Sequence, residues 1–108
     1  MALETKELTL GGYKTAAGEV EDRLYILTKF PATKGLQIQM KLAEGRLDPE
    51  LVRDVIVSSV AIGSVKMDAK RFDDHFSGRY KHMMDLFNEV IAFNFDENFT
   101  EDDSSESN

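Results

Sequence analysis

The sequence contains no cysteine. That excludes a disulfide framework, a thiolate metal site and a thiol nucleophile, and it makes a reducing compartment the default expectation. Long apolar runs are missing too. Nowhere do about 18 apolar residues follow one another, as a membrane-crossing helix requires. The opening MALETKELTL has no basic segment leading into an apolar stretch, so no secretory leader is read there, and a soluble, unexported chain is expected. Basic charge is also short, with 13 Lys and Arg against 20 Asp and Glu. Six of those acids (Asp96, Glu97, Glu101, Asp102, Asp103 and Glu106) fall after residue 95 with no base among them, leaving the body nearly neutral. Nucleic-acid binding rests on many Lys and Arg contacts to phosphate, and this distribution offers no such footprint. The acidic end reads as a solubilising tail.

What is present is apolar periodicity. With 108 residues and 42% apolar content, the chain suits one domain, near the size where roughly two-thirds of the unfolded surface can be buried. Lys6 to Leu10 is a short strand candidate closed by Gly11-Gly12, and residues 14 to 22 are polar, a loop or an irregular hairpin arm. Arg23 to Phe30 is the better strand and ends at Pro31. Thr33 is expected to cap a helix with Leu36, Met40 and Ala43 on its apolar face and Ile38 and Leu42 widening it, stopped by Gly45. Asp48-Pro49-Glu50 is the clearest helix start, and Leu51, Val52, Val55, Ile56, Val60 and Ile62 carry that helix to Gly63, although its β-branched residues also suit a buried strand. Asp68 caps a long last helix over about 69 to 93, with Phe72, Phe76, Tyr80, Met83, Phe87, Val90 and Ile91 on one face and a kink near Ser77-Gly78. The fold expected is α+β and mainly α: an N-terminal antiparallel β-ribbon, three helices packed as a bundle, a single domain over 1–99 and a disordered acidic tail over 100–108.

Side chains suited to catalysis are scattered. Asp73, Asp74 and His75 would suit a metal-dependent hydrolase, but consecutive helical residues point about 100° apart and do not converge. On one continuous helix His75 and His82 lie two turns apart, about 10 Å by helix rise, too far to share an ion. His82 and Asp85 read as a surface pair, and Arg79 and Lys81 as exposed partners of Asp85. No serine has a nucleophile-elbow setting and no glycine loop matches a phosphate cradle. The expectation is therefore no catalytic residue, no metal and no cofactor. A sticky helix running into a charged tail suits a module that holds other polypeptides, and Met84, Phe93, Phe95 and Phe99 are the candidate partner-binding residues. Met40, Met67, Met83 and Met84 suggest an adaptable groove, since thioethers repack against varied partners; the alternative is that Met40 and Met83 fill core gaps, and it is preferred for Met83.

Three blocks resemble the tail assembly chaperones of long-tailed bacteriophages. They are Thr28-Lys29-Phe30-Pro31-Ala32-Thr33-Lys34-Gly35-Leu36, then Arg71-Phe72-Asp73-Asp74-His75-Phe76-Ser77-Gly78-Arg79, and finally Glu89-Val90-Ile91-Ala92-Phe93-Asn94-Phe95 before an acidic tail. With the order strand, helix, helix, long helix, the resemblance spans about residues 24 to 99. The polar stretch Tyr13 to Asp22 departs from the family's compact hairpin. The resemblance implies a non-catalytic protein in the cytoplasm of the infected host that binds the tape measure protein, keeps it soluble and recruits tail tube protein, without membrane or nucleic-acid partners. Self-association stays open. A tail completion or connector subunit retained in the virion is the alternative.

Overall fold

The computed structural model describes residues 3–106, with side chains described as far as Phe95. Among these residues a four-stranded antiparallel sheet packs beside four helices, in the order β1 (Thr5–Lys14), β2 (Val20–Thr28), α1 (Ala32–Ala43), α2 (Pro49–Ser59), β3 (Val60–Ile62), β4 (Val65–Lys66), α3 (Ala69–Phe76) and α4 (Tyr80–Glu106). The mixture of N-terminal strands and later helices agrees with the expected class, whereas the ribbon is a full sheet and the three helices are four.

The hairpin accounts for the first difference. Gly11-Gly12 does not close it; the pairing slips there, between Leu10 and Tyr13, and Gly12 takes φ +82°. This is a bulge with glycine in the left-handed region, and the strand continues beyond it to Lys14. The turn lies at Thr15 to Gly18, closed by Gly18 N–H donating to Thr15 O at 2.9 Å. Of residues 14 to 22, expected as a loop or an irregular hairpin arm, 15–19 form the hairpin turn, while Lys14 and Val20 to Asp22 are strand, held by ladder bonds despite their weak pattern. Through the bulge, Tyr13 becomes buried at the end of the sheet.

The stretch after Asp48 holds both alternatives in succession. Asp48 accepts from Leu51 N–H at 2.8 Å with Pro49 following, and α2 runs to Ser59. Val60 then goes extended, and β3 pairs with β2, placing Tyr25 opposite Ile62 and Leu27 opposite Val60. The helix stops four residues before Gly63 because Ser59 Oγ, buried, donates to Thr28 O at 2.7 Å and fastens the chain to the sheet edge. Gly63, at φ +60°, begins the two-residue turn to β4. Asp48→Ala should lower stability by ~1 kcal/mol, read as a shift of the urea midpoint without a change of slope.

The expected kink near Ser77-Gly78 is a complete break. Asp68 caps α3 as expected, accepting from Arg71 N–H at 2.8 Å, but Gly78 at φ +75° ends the helical path before α4 begins at Tyr80. The face resets across it. Phe72, Phe76, Phe87 and Val90 are buried, Met83 and Ile91 pack partly, and Tyr80 points out at 65% exposure. α4 overruns the expected end near 93, and its backbone stays helical to Glu106, through seven residues of the tail expected to be disordered. No Gly or Pro follows Gly78 to stop it. Asn94, just past the expected end, stays within the helix, donates to Val90 O at 3.0 Å and accepts from Phe30 N–H at 2.7 Å.

The core lies between the inner face of the sheet, through Tyr25, Leu27 and Val60, and the apolar sides of α2, α3 and α4, through Val55, Ile56, Phe76, Leu86 and Val90. α1 sits at the margin. It starts after Pro31 with no side-chain cap, so Thr33 does not serve as one. It is anchored by the buried Ile38, the half-buried Leu42 and the ion pair of Lys34 with Asp54 at 2.8 Å. Its expected inward face is turned outward: Leu36 is 57% and Met40 56% exposed, so Met40 fills no core gap.

Candidate partner-binding surface

Two places in this fold call for explanation, one sealed and one open. The sealed place joins the hairpin to the α3–α4 break. Tyr25 Oη lies 2.7 Å from His75 Nε2 and 2.7 Å from His82 Nε2. His82 Nδ1 is 3.0 Å from Gly11 O at the bulge, and a carbonyl only accepts, so this nitrogen carries a proton. Neutral His82 then accepts from the Tyr25 hydroxyl, and Tyr25 accepts from His75 Nε2–H. Tyr13 Oη donates to His75 O at 2.9 Å, and its ring stacks on the His75 imidazole at 4.6 Å. The guanidinium carbons of Arg23 and Arg79 lie 4.4 and 4.5 Å from the centre of the Tyr13 ring, a cation–π arrangement. Arg79 also donates through Nε to Lys14 O and through Nη1 to His75 O.

This arrangement requires neutral imidazoles. A second proton on His82 would give Tyr25 two donors and leave its own hydroxyl proton without an acceptor. Burial, with the charge of Arg23 adding to it, pushes His75 down to about 4, and burial also lowers His82 against the opposing bond from Gly11 O. Burial raises the Tyr25 phenol. The expected surface pair of His82 with Asp85 is corrected, since His82 is 2% exposed; Lys81 pairs with Asp85 at 3.0 Å as expected, whereas Arg79 turns to Lys14 O and His75 O. The histidines, expected to be too far apart to share a partner ion, share a hydroxyl because the break at Gly78 replaces the continuous helix. With Tyr25 fully buried, the hydroxyl is closed to a substrate and the cluster acts as a structural joint. Among the described residues no three His, Asp or Glu converge as metal ligands, and Asp73 and Asp74 lie exposed.

The joint makes stability depend on pH with a definite sign. Above about 6.5 both the folded and unfolded His75 are neutral, and the contribution is complete; between 6.5 and about 4 only the unfolded chain binds the proton, so stability falls as pH falls. Unscreened, a displacement of that size corresponds to ~3 kcal/mol. The His75 ring is only half enclosed, so the expected loss is ~1 to 2 kcal/mol. Urea titrations from pH 7 to 4.5 check this, and His75→Asn should flatten the dependence between pH 6.5 and 5.

The open place lies beside α1. Leu36 and Met40, one turn apart, share an outward face with Thr33, Gln37, Gln39 and Ala43, none of them charged, and exposed Lys41 and the C-cap Glu44 border it. At its edge an open groove of about 390 Å3 is lined by Phe30, Pro31, Gly35, Leu36, Asn94 and Phe95 among others. The candidate residues read from the sequence stand as follows. Met84, Phe93 and Phe95 are half-buried and pack against the core. Lys29 and Lys6 Nζ lie 4.7 and 5.9 Å from the centre of the Phe93 ring. Phe95 tilts against Phe30 at 6.2 Å and lines the groove; the side chain of Phe99 lies outside the described residues. Met84, Phe93 and Phe95 thus do not form one exposed patch. Sequence reasoning missed Leu36 and Met40 as surface residues by taking apolar to mean inward. A signal was present: both lysines of α1, Lys34 and Lys41, lie on the Ile38 side of the helical wheel, so the side with Leu36 and Met40 has no charge within the helix.

Fold and site together define a small mixed α/β module with a sealed polar joint and an exposed Leu36 and Met40 on its first helix. Residues 45–106 match the model of a family described as phage tail assembly chaperone protein, TAC, and since the match covers more than half of the chain, the protein belongs to that family. The matched region begins ahead of α2 and takes in two of the three resembling blocks, leaving out the hairpin and α1. No curated protein and no solved structure matches the chain.

Proposed function

We propose that this tail assembly chaperone binds the tape measure protein in the host cytoplasm, keeps it soluble and helps to bring tail tube subunits to it, without catalysis. The observation that carries this reading is the charge-free outward face of α1. A surface helix ordinarily presents charged groups to water, and two large apolar side chains left in solvent one turn apart, Leu36 and Met40, offer a contact for another polypeptide. Sealing of the Tyr25 hydroxyl within the polar joint favours binding over chemistry. A tape measure chain, long and helical, exposes apolar stripes until the tube encloses it, and a small partner with matching apolar surface and an acidic end would shield them.

Co-expression with the tape measure protein of the same phage tests the proposal. The expected result is a tape measure that stays in the soluble fraction with the chaperone and precipitates without it. Equal solubility in both conditions would overturn the reading. Finding the chain by mass spectrometry in purified virions at the copy number of a structural subunit would support the retained connector instead.

A further inference from the structure

We infer that the outer face of the sheet joins this chain to a second copy of itself, the two sheets packing face to face about a two-fold axis parallel to the strands, with Ile26 over Ala61 in the middle and Glu7 against Lys66 at each side. Neither the client nor α1 takes part, so this contact stands apart from the chaperone reading.

The strand register builds the face. Glu7 pairs with Ile26, Ile26 with Ala61 and Ala61 with Lys66, so these four side chains form one row across all four strands. Side chains alternate along a strand, and the neighbouring Tyr25, Leu27 and Val60 belong to the core. The row therefore points away from the helices. On this face Thr5, Glu7, Thr9, Leu24 and Lys66 are exposed, and Ile26, Thr28 and Ala61 are half-buried. A sheet face left to water is ordinarily polar. Here the middle is Leu24, Ile26 and Ala61 and the charges stand towards the two edges, the arrangement of an apolar contact with a polar rim.

Order along the row selects the occupant. The row runs acid, large apolar, small apolar, base, and a copy turned about an axis parallel to the strands presents the reverse. Glu7 then faces Lys66 of the second copy, Ile26 faces its Ala61, and both relations recur by symmetry. Turned about an axis across the strands, the copy would set Glu7 against Glu7 and Lys66 against Lys66. Like charge disfavours that orientation. Aligned sheets cross at ~30°, which displaces the ends of the row by ~4 Å, within the reach of Glu and Lys. Within one chain the two charges stand three strand spacings, ~14 Å, apart, and neither forms an ion pair with another described residue. Since β3 has three residues and β4 two, the contact is small, and association should be weak and dependent on concentration.

Sedimentation equilibrium of the full-length chain from about 10 µM to about 1 mM tests this. The natural chain should pass from monomer towards dimer within that range. Glu7→Lys and Lys66→Glu, both at exposed positions, should leave circular dichroism and the melting temperature of the monomer unchanged. Each should weaken dimerisation by about tenfold at low salt, because symmetry makes every substitution act twice. Glu7→Lys/Lys66→Glu should restore the natural dissociation constant to within about twofold, since the reversed charges again match across the axis. Leu36→Glu/Met40→Glu should leave dimerisation unchanged. A natural chain that stays monomeric at every concentration overturns the proposal. Dimerisation that neither single reversal weakens, or that the α1 variant abolishes, belongs to another face and overturns it as well. A double reversal as weak as the single ones overturns the proposed axis.

Discussion

Tyr25→Phe should destabilise the protein by ~2 to 4 kcal/mol, because removing one oxygen leaves two buried groups without partners, each costing ~1 to 3 kcal/mol. His75 Nε2–H loses its acceptor and His82 Nε2 loses its donor, both at 2.7 Å in the natural chain. The ring itself stays, so packing changes little and the loss reports the hydroxyl. Tyr13→Phe is the useful comparison. It removes the bond to His75 O at the half-buried end of the joint, where water can take over, and should cost only ~1 kcal/mol. Urea denaturation at pH 7.5, where both imidazoles are neutral, measures both; equal losses from the two variants would contradict the central place given to Tyr25. Since a domain of this kind has a stability of only ~5 to 15 kcal/mol, the Tyr25 variant should also melt visibly earlier.

The joint shows what the sequence could and could not disclose. Strand β2 was legible from its Tyr, Ile and Leu content and its ending at Pro31, and the starts of α2 and α3 from Asp48 and Asp68, because each signal acts within three or four residues. The pairing of residues 14 to 22 was not legible. It depends on a bulge at Gly11-Gly12, which looks like a turn when only local conformation is considered. Strand β3 escaped for a related reason, since three residues following a helix have no period of their own and become a strand only because β2 offers an edge. Periodicity shows which residues share a face, but it does not say which face meets the core. On α1 the single buried Ile38 outweighs Leu36 and Met40, and the choice depends on where Phe30 and Asp54 stand in the fold. The His75 and His82 partnership was hidden by the assumption of one continuous helix, which Gly78 breaks.

The second large effect is expected at Phe76. Phe76→Ala should cost ~3 to 5 kcal/mol, the range for emptying a large aromatic site in a core that cannot fully collapse around it. Phe76 is 2% exposed and lies at the end of α3, with ring centroids 5.2 Å from Phe72, 4.7 Å from His75 and 6.3 Å from His82. Collapse is restricted on the His75 side, because both imidazoles are already committed to Tyr25. The cavity should therefore loosen α3 and α4 together, and hydrogen exchange should show faster opening in both, with less change in α1, whose anchors at Ile38 and the Lys34–Asp54 pair are separate. Comparison with a Leu36→Glu/Met40→Glu variant then separates two uses of apolar residues in the same chain. Removing the Phe76 ring should lower stability and, wherever the fold survives, leave tape measure capture in place, whereas placing charge at Leu36 and Met40 should abolish capture and leave stability unchanged. A Phe76 variant as stable as the natural chain would mean that the α3–α4 junction is not packed through this ring, and the joint around Tyr25 would then have no apolar support beneath it.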